Sequence, residues 1–183
     1  MLVDFERDIK KIKSKIVDVP DFPSPGIVFK DISPLLADPE SFKRACYLMS
    51  VKNDVPDYYA ALDARGFLFA TPMMYMIDNP RYGGVLMCRK KGKLPGDTIS
   101  HSYQLEYGED TIEMKKGIAK PGSKVIIVDD VLATGGTALA ACKLCESLGL
   151  KVAGVTTLIE LSKLGGHQLL ESNGYRTESL IIY

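Results

Sequence analysis

One stretch of this chain, residues 125–137 (VIIVDDVLATGGT), constrains the fold more than any other. It opens on an apolar run with no alternation, the pattern of a strand covered on both faces. Such strands belong to parallel sheets packed between helices. Two adjacent acids, Asp129 and Asp130, follow the run. In open α/β sheets, ligands bind beyond the carboxyl ends of the strands, which is where these acids fall. A short loop, Ala133-Thr134-Gly135-Gly136-Thr137, then leads into a helical stretch rich in alanine and leucine. Paired glycines let the backbone turn tightly and approach a ligand closely. Free N–H groups at a helix start, with the dipole behind them, favour an anion such as phosphate. Thr134 and Thr137 add hydroxyl donors.

Two familiar phosphate motifs are excluded. A nucleoside-triphosphate loop closes on Gly-Lys-Ser/Thr, but Gly136 is followed by Thr137 with no lysine. The G-x-G-x-x-G spacing of a dinucleotide site is absent as well. Acids placed before a phosphate cradle suit the diol of a phosphorylated sugar, and the order fits a ribose 5-phosphate. The plain alternative is a strand–turn–helix corner with solvated acids, but two adjacent carboxylates repel each other and add no stability.

The rest of the chain alternates. Phe5, Ile9, Ile12 and Ile16 mark one face of an amphipathic helix. Pro20, Pro23 and Pro25 then break regular structure, and residues 21–36 read as an irregular segment with apolar side chains. A second helix is expected over 41–51. Strands are expected over 58–62, 85–88, 125–128, 152–159 and 180–182, and helices over 67–77, 137–148 and 166–171. Tyr103 and Leu105, with Ile112 and Met114, alternate with polar residues around Gly108, which indicates a β-hairpin. His101 reads as a loop residue. The sum is an α/β fold with a mainly parallel central sheet flanked by helices. At 183 residues it forms a single domain, residues 1–183.

Lys+Arg and Asp+Glu balance at 23 each, so there is no general attraction for nucleic acid or an anionic membrane. Any anion site must be local. No run approaches the ~20 apolar residues that span a bilayer, and residues 1–15 lack the apolar core of a signal peptide. Cys46, Cys88, Cys142 and Cys145 suggest no disulfide framework. Cys142 and Cys145 form a C-x-x-C, but inside an apolar helical stretch with no second Cys/His pair to complete a zinc site. Buried thiols in a cytoplasmic protein are expected.

Residues 125–137 resemble the phosphoribosyl pyrophosphate signature of the type I phosphoribosyltransferases. FPSPGIVFKDISPLL (22–36), LDARGFLFA (62–70), RKKGKLPG (89–96), SYQLEYG (102–108) and LIELSKLGG (158–166) resemble, in the same order, the adenine-using branch of that family. The resemblance implies an N-terminal helix and base-binding segment (1–36) and a flexible catalytic hairpin (98–115). It implies purine salvage, in which phosphoribosyl pyrophosphate and adenine give AMP and pyrophosphate. It further implies Mg2+, held mainly by substrate and water with no direct protein ligand, and a homodimer.

The same resemblance assigns roles. Ala133, Thr134, Gly135, Gly136 and Thr137 hold the 5-phosphate, and Asp129 and Asp130 hold the ribose. Arg65, Arg89 and Lys93 take the pyrophosphate, with Arg89 reaching the neighbouring site. The Arg65 loop holds a cis peptide in the family, which often has serine where Ala64 stands. Glu106 is the proton acceptor for the purine, and Tyr107 shields the reaction. Phe29 and Leu132 wall the base, and backbone groups of Val28 and Lys30 read its edge. The family commonly has arginine at the position of Lys30. The plain alternatives are an ordinary surface arginine at 65, a basic surface run over 89–93 and a core residue at Phe29; Glu106, taken without the resemblance, is a solvated hairpin glutamate.

Adenine presents a donor at C6 and an acceptor at N1. A 6-oxopurine reverses both, so backbone pairing can reject it by leaving buried groups unpaired. The rivals are a 6-oxopurine phosphoribosyltransferase, a non-catalytic sensor of phosphoribosyl pyrophosphate and a synthase of that compound. A sensor calls for a DNA-binding module, and a synthase for extra length and an ATP site. None of these is visible.

Overall fold

Strand and helix alternate as the apolar pattern requires, and the chain divides into two units, residues 1–48 and 49–183. The computed structural model describes residues 4–51, 55–76, 84–104 and 109–183.

The first unit holds α1 (Phe5–Lys13), β1 (Val17–Pro20), β2 (Val28–Asp31), α2 (Ser33–Leu36) and most of α3 (Pro39–Val51). Asp4 caps α1 by accepting from the Arg7 N–H, and basic side chains crowd the last turn, where the helix dipole favours them. The inward face of α1 differs from the expected one. Phe5 is 45% exposed, whereas Asp8 is buried and pairs with Arg44 Nε at 3.0 Å. Residues 21–36 are not irregular throughout. β1 and β2 pair antiparallel, with Val17 opposite Asp31 and Pro20 opposite Val28. Pro20 is tolerated because it ends a strand in a two-stranded sheet, where the missing N–H interrupts no central ladder. α3 begins two residues before the expected 41, on a proline whose fixed φ suits a first helical position.

The second unit continues with β3 (Tyr58–Leu62), α4 (Gly66–Met76), β4 (Gly84–Lys90), β5 (Thr98–Gln104), β6 (Glu109–Lys115), β7 (Lys124–Leu132), α5 (Gly136–Ser147), β8 (Lys151–Glu160), α6 (Gly166–Ser172) and β9 (Thr177–Ile182). Among the described residues these strands form one seven-stranded sheet in the order β5-β6-β4-β3-β7-β8-β9. Neighbours from β4 to β9 run parallel, and β6 lies antiparallel to β4 and β5. The hairpin is therefore the edge of the central sheet, and His101 lies in β5 rather than in a loop.

Val125, Ile126, Ile127 and Val128 are all buried, as a strand covered on both faces demands. α5 packs through Ala138, Ala140, Ala141, Cys142, Leu144 and Cys145. The four cysteines are free and buried. Cys145 Sγ lies 3.7 Å from Met114 Sδ, and burial pushes the Cys46 thiol up to about 12. The C-x-x-C is thus core packing. β9 begins three residues before the expected strand because its polar residues are satisfied inside. Thr157 Oγ1 and Ser179 Oγ are both buried and lie 2.9 Å apart. No helix among the described residues is long and apolar enough to cross a membrane.

Candidate active site

β3 and β7 are parallel neighbours, with Ala61 opposite Val128. The loop after β3 and the acids of β7 consequently emerge side by side at the carboxyl edge of the sheet. A cleft of about 540 Å³ opens there. Its floor is Asp63, Ala64 and Arg65 from the β3 loop and Asp129, Asp130 and Val131 from β7. Lys90, Tyr103 and Asp110 form the wall on the hairpin side, and Ala133 and Thr137 close the other. The Asp63–Ala64 peptide is cis.

Charge in this cleft is largely internally matched. Arg65 Nε stands 2.8 Å from Asp130 Oδ2, whose side chain is only 5% exposed. Burial raises the Asp130 carboxyl above its ordinary value, and the Arg65 guanidinium pulls it back down. Asp129 is also raised, first by burial and then by the adjacent Asp130 charge.

Gly66 fixes how the β3 loop meets β7. A Cβ at this position would stand 2.5 Å from the Val128 carbonyl oxygen, a backbone atom that cannot swing aside. Gly66→Ala is expected to cost about 1–3 kcal/mol, the usual range for overpacking. An unchanged urea midpoint would refute the close approach.

A second cleft of about 80 Å³ lies against Thr134, Gly135, Gly136 and Thr137. Gly135 adopts φ +82°, and a Cβ there would meet the Gly166 carbonyl oxygen at 2.9 Å. The Gly166 N–H in turn donates to the Ala133 carbonyl at 3.1 Å. The loop is thus pinned from behind by the start of α6. The first-turn amides of α5 have no partner within the helix and face outward at its N-terminus. With the Thr134 and Thr137 hydroxyls they can hold a tetrahedral anion.

The geometry fits a phosphorylated sugar, and the comparisons with known proteins say which family builds it. The model of the phosphoribosyl transferase domain matches residues 37–181. An adenine phosphoribosyltransferase of Carboxydothermus hydrogenoformans is 47% identical over 174 residues, covering 94% of this chain and 99% of the relative. The chain belongs to the adenine phosphoribosyltransferases. The mouse enzyme of that name is 45% identical over 170 residues, covering 90% of this chain and 92% of the relative. A crystal structure of the adenine phosphoribosyltransferase of Thermoanaerobacter pseudethanolicus superposes with a TM-score of 0.88 at 42% identity, covering 96% of this chain and 99% of the other. The Saccharomyces cerevisiae enzyme, solved with adenine and an imino-altritol bisphosphate, gives 0.85 at 32% identity over 96% and 99% of the two chains. The family's mainly parallel sheet between helices is the fold of this protein.

Within that frame, Arg65, Asp129, Asp130, Ala133 and Thr137 converge on the larger cleft, and Thr134, Gly135 and Gly136 line the smaller one. Leu132, 2% exposed, lines the smaller cleft, and the half-buried Val131 lines both. Arg89 and Lys93 do not line the cleft. Arg89 Nε donates to Asp63 Oδ2 at 3.0 Å and its Nη1 to the Lys93 carbonyl at 3.2 Å. Val28, Phe29 and Lys30 belong to the first unit. There Phe29 meets Phe22 edge to face at 5.2 Å, and Lys30 Nζ pairs with Asp18 at 2.6 Å. Glu106 and Tyr107 lie outside the described residues.

Sequence reading missed Glu113. Its buried Oε1 accepts from the backbone N–H groups of Gly92, Lys93 and Leu94 at 3.0, 3.1 and 3.0 Å. One carboxylate thereby shapes the whole basic loop. In the sequence it looks like any polar position of an alternating strand. Lys90, read as one of the solvated lysines, pairs with Asp110 at 3.1 Å and lines the cleft.

Proposed function

We propose that this chain transfers the phosphoribosyl group of phosphoribosyl pyrophosphate to adenine, giving AMP and pyrophosphate. The observation that carries the reading is the convergence of Asp129, Asp130, Arg65 and the 133–137 loop at one carboxyl edge of the sheet. Residues 133–137 take the 5-phosphate on amides and hydroxyls. Asp129 and Asp130 accept from the ribose hydroxyls and favour the positive charge that develops at the sugar. Arg65 and Lys93, with Arg89 from a neighbouring chain, balance the charge that gathers on the departing pyrophosphate. Phe29 and Leu132 are the apolar faces that the family resemblance assigns to the base, and the Val28 and Lys30 backbones read its edge. Commitment of the Lys30 ammonium to Asp18 suits a role for its backbone alone. Glu106 accepts the purine proton and Tyr107 excludes water.

Magnesium, held mainly by substrate and water, would neutralise part of the substrate's negative charge. A rate assay of the purified chain with adenine, hypoxanthine, guanine and xanthine tests the assignment. Adenine is expected to be preferred by at least about fivefold, since one reversed donor–acceptor pair costs on the order of 1–3 kcal/mol. A higher rate with hypoxanthine or guanine than with adenine would replace adenine by a 6-oxopurine.

A homodimer fits the exposed apolar side of α4, where Leu68 is 45% and Tyr75 86% exposed. A helix that is apolar on all sides normally has partners all round. Sedimentation velocity at micromolar concentration is expected to give twice the chain mass, and a monomer would remove the shared Arg89. Four free, buried cysteines suit a reducing cytoplasm. Recovery of the protein in a membrane or periplasmic fraction would contradict that location.

A further inference from the structure

The end of β4 and the loop after it carry Arg89, Lys90, Lys91 and Lys93 within five residues. Like charges at that spacing repel one another, so the segment alone has no reason to keep one shape. Its amides are nonetheless gathered onto a single oxygen. Gly92 takes φ +81°, a turn that glycine accepts without strain. Successive N–H groups in such a turn form a concavity that suits an anion. The anion here comes from the protein itself. Glu113 Oε1 accepts from the Gly92, Lys93 and Leu94 N–H groups, and Oε2 accepts from the Thr98 hydroxyl at 3.3 Å. Glu113 is 5% exposed, so water competes little for these bonds.

The same loop is tied to the larger cleft. Lys93 is held at its N–H by Glu113 and at its carbonyl by Arg89 Nη1. Arg89 Nε in turn donates to Asp63, which lines the cleft two residues before Arg65. Lys93 itself is exposed. With both of its backbone groups engaged, its side chain is the part left to meet a ligand.

We propose that Glu113 is a positioning residue for pyrophosphate, holding residues 92–94 in the shape that presents Lys93. The proposal rests on the reading of Lys93 as a pyrophosphate ligand. Glu113 acts through the loop and meets no reacting atom. Its charge taken alone has the opposite effect, because a carboxylate beside the loop repels an incoming anion. Shape and charge therefore predict opposite signs for the same substitution.

The test is titration calorimetry of the purified chain with magnesium pyrophosphate and, separately, with ribose 5-phosphate, together with initial rates. Glu113→Gln keeps the size of the side chain and one carbonyl acceptor but removes the charge. It is expected to weaken pyrophosphate binding about 3- to 30-fold, the difference between a charged and a neutral acceptor for converging amides. Ribose 5-phosphate, which carries no pyrophosphate, should bind as to the parent. The KM for phosphoribosyl pyrophosphate should rise while the KM for adenine stays put. Glu113→Ala leaves three amides without their acceptor and should lose more; if it does not fold, Glu113→Gln alone decides the matter. Beside Lys93→Ala, adding Glu113→Gln should do nothing further. Parent-like pyrophosphate binding by Glu113→Gln overturns the proposal, and so does tighter binding, the result that charge alone would give. Equal losses for pyrophosphate and ribose 5-phosphate also overturn it, since Glu113 then only supports the fold. A Glu113→Gln effect that persists in full beside Lys93→Ala does the same. If Lys93→Ala binds pyrophosphate like the parent, the reading of Lys93 falls, and the proposal with it.

Discussion

Replacing Arg65 by alanine is expected to lower kcat/KM about 10²–10³-fold, the usual effect of deleting one preorganised charge-stabilising donor. It is also expected to move the acid limb of the pH–rate profile upward. The second effect follows from the 2.8 Å approach of Arg65 Nε to Asp130. Burial raises the Asp130 carboxyl, and Arg65 is the main influence holding it down. Without the guanidinium, Asp130 keeps its proton to higher pH. A protonated Asp130 no longer favours positive charge at the sugar, so activity that needs the ionised form sets in later. The sign is therefore fixed: loss of the cation raises the carboxyl, and the acid limb follows it up. Profiles of kcat/KM between pH 5 and 8 for the parent and Arg65→Ala read the effect directly. A limb at the same pH in both would show that Asp130 ionisation does not control the rate. Arg65→Lys keeps the charge but not the forked geometry, so it should hold the limb near its parent position while recovering only part of the rate.

Much of this cleft was legible in the sequence because one strand and its loop carry so much of it. The apolar run 125–128 announces a covered parallel strand, and the acids and glycines after it are contiguous, so no tertiary knowledge is needed to group them. Arg65 was reachable for the same reason, as it follows a strand end. What could not be read depends on pairings between distant segments. Glu113 orders residues 92–94 from a neighbouring strand. Tyr103 meets Thr137 across 34 positions of sequence. The β1–β2 pair hid behind its prolines, whose effect depends on whether a strand is central or at an edge. The choice of adenine over other purines came from resemblance, and relatives at 45–48% identity carry the same name.

Exchange of Glu106 for glutamine is expected to lower kcat by about 10²–10⁴, the range in which general acid–base assistance operates. Bond formation between the purine nitrogen and the anomeric carbon requires the nitrogen to shed its proton as pyrophosphate departs with the electrons of the broken bond. Glutamine matches glutamate in size and keeps a carbonyl acceptor, but at neutral pH it cannot take up a proton. The loss should therefore fall on the chemical step, with adenine affinity little changed. That range corresponds to about 3–5 kcal/mol of barrier, more than one neutral hydrogen bond provides, so proton transfer and simple contact are separable by magnitude. The β5–β6 ladder runs from Thr98 opposite Lys115 to Gln104 opposite Glu109. Tyr103 and Asp110, near its end, line the larger cleft. Single-turnover rates with adenine and phosphoribosyl pyrophosphate, alongside equilibrium binding of AMP, make the separation. A Glu106→Gln variant that binds AMP normally and turns over at the parent rate would leave the purine proton to water and take Glu106 out of the reaction.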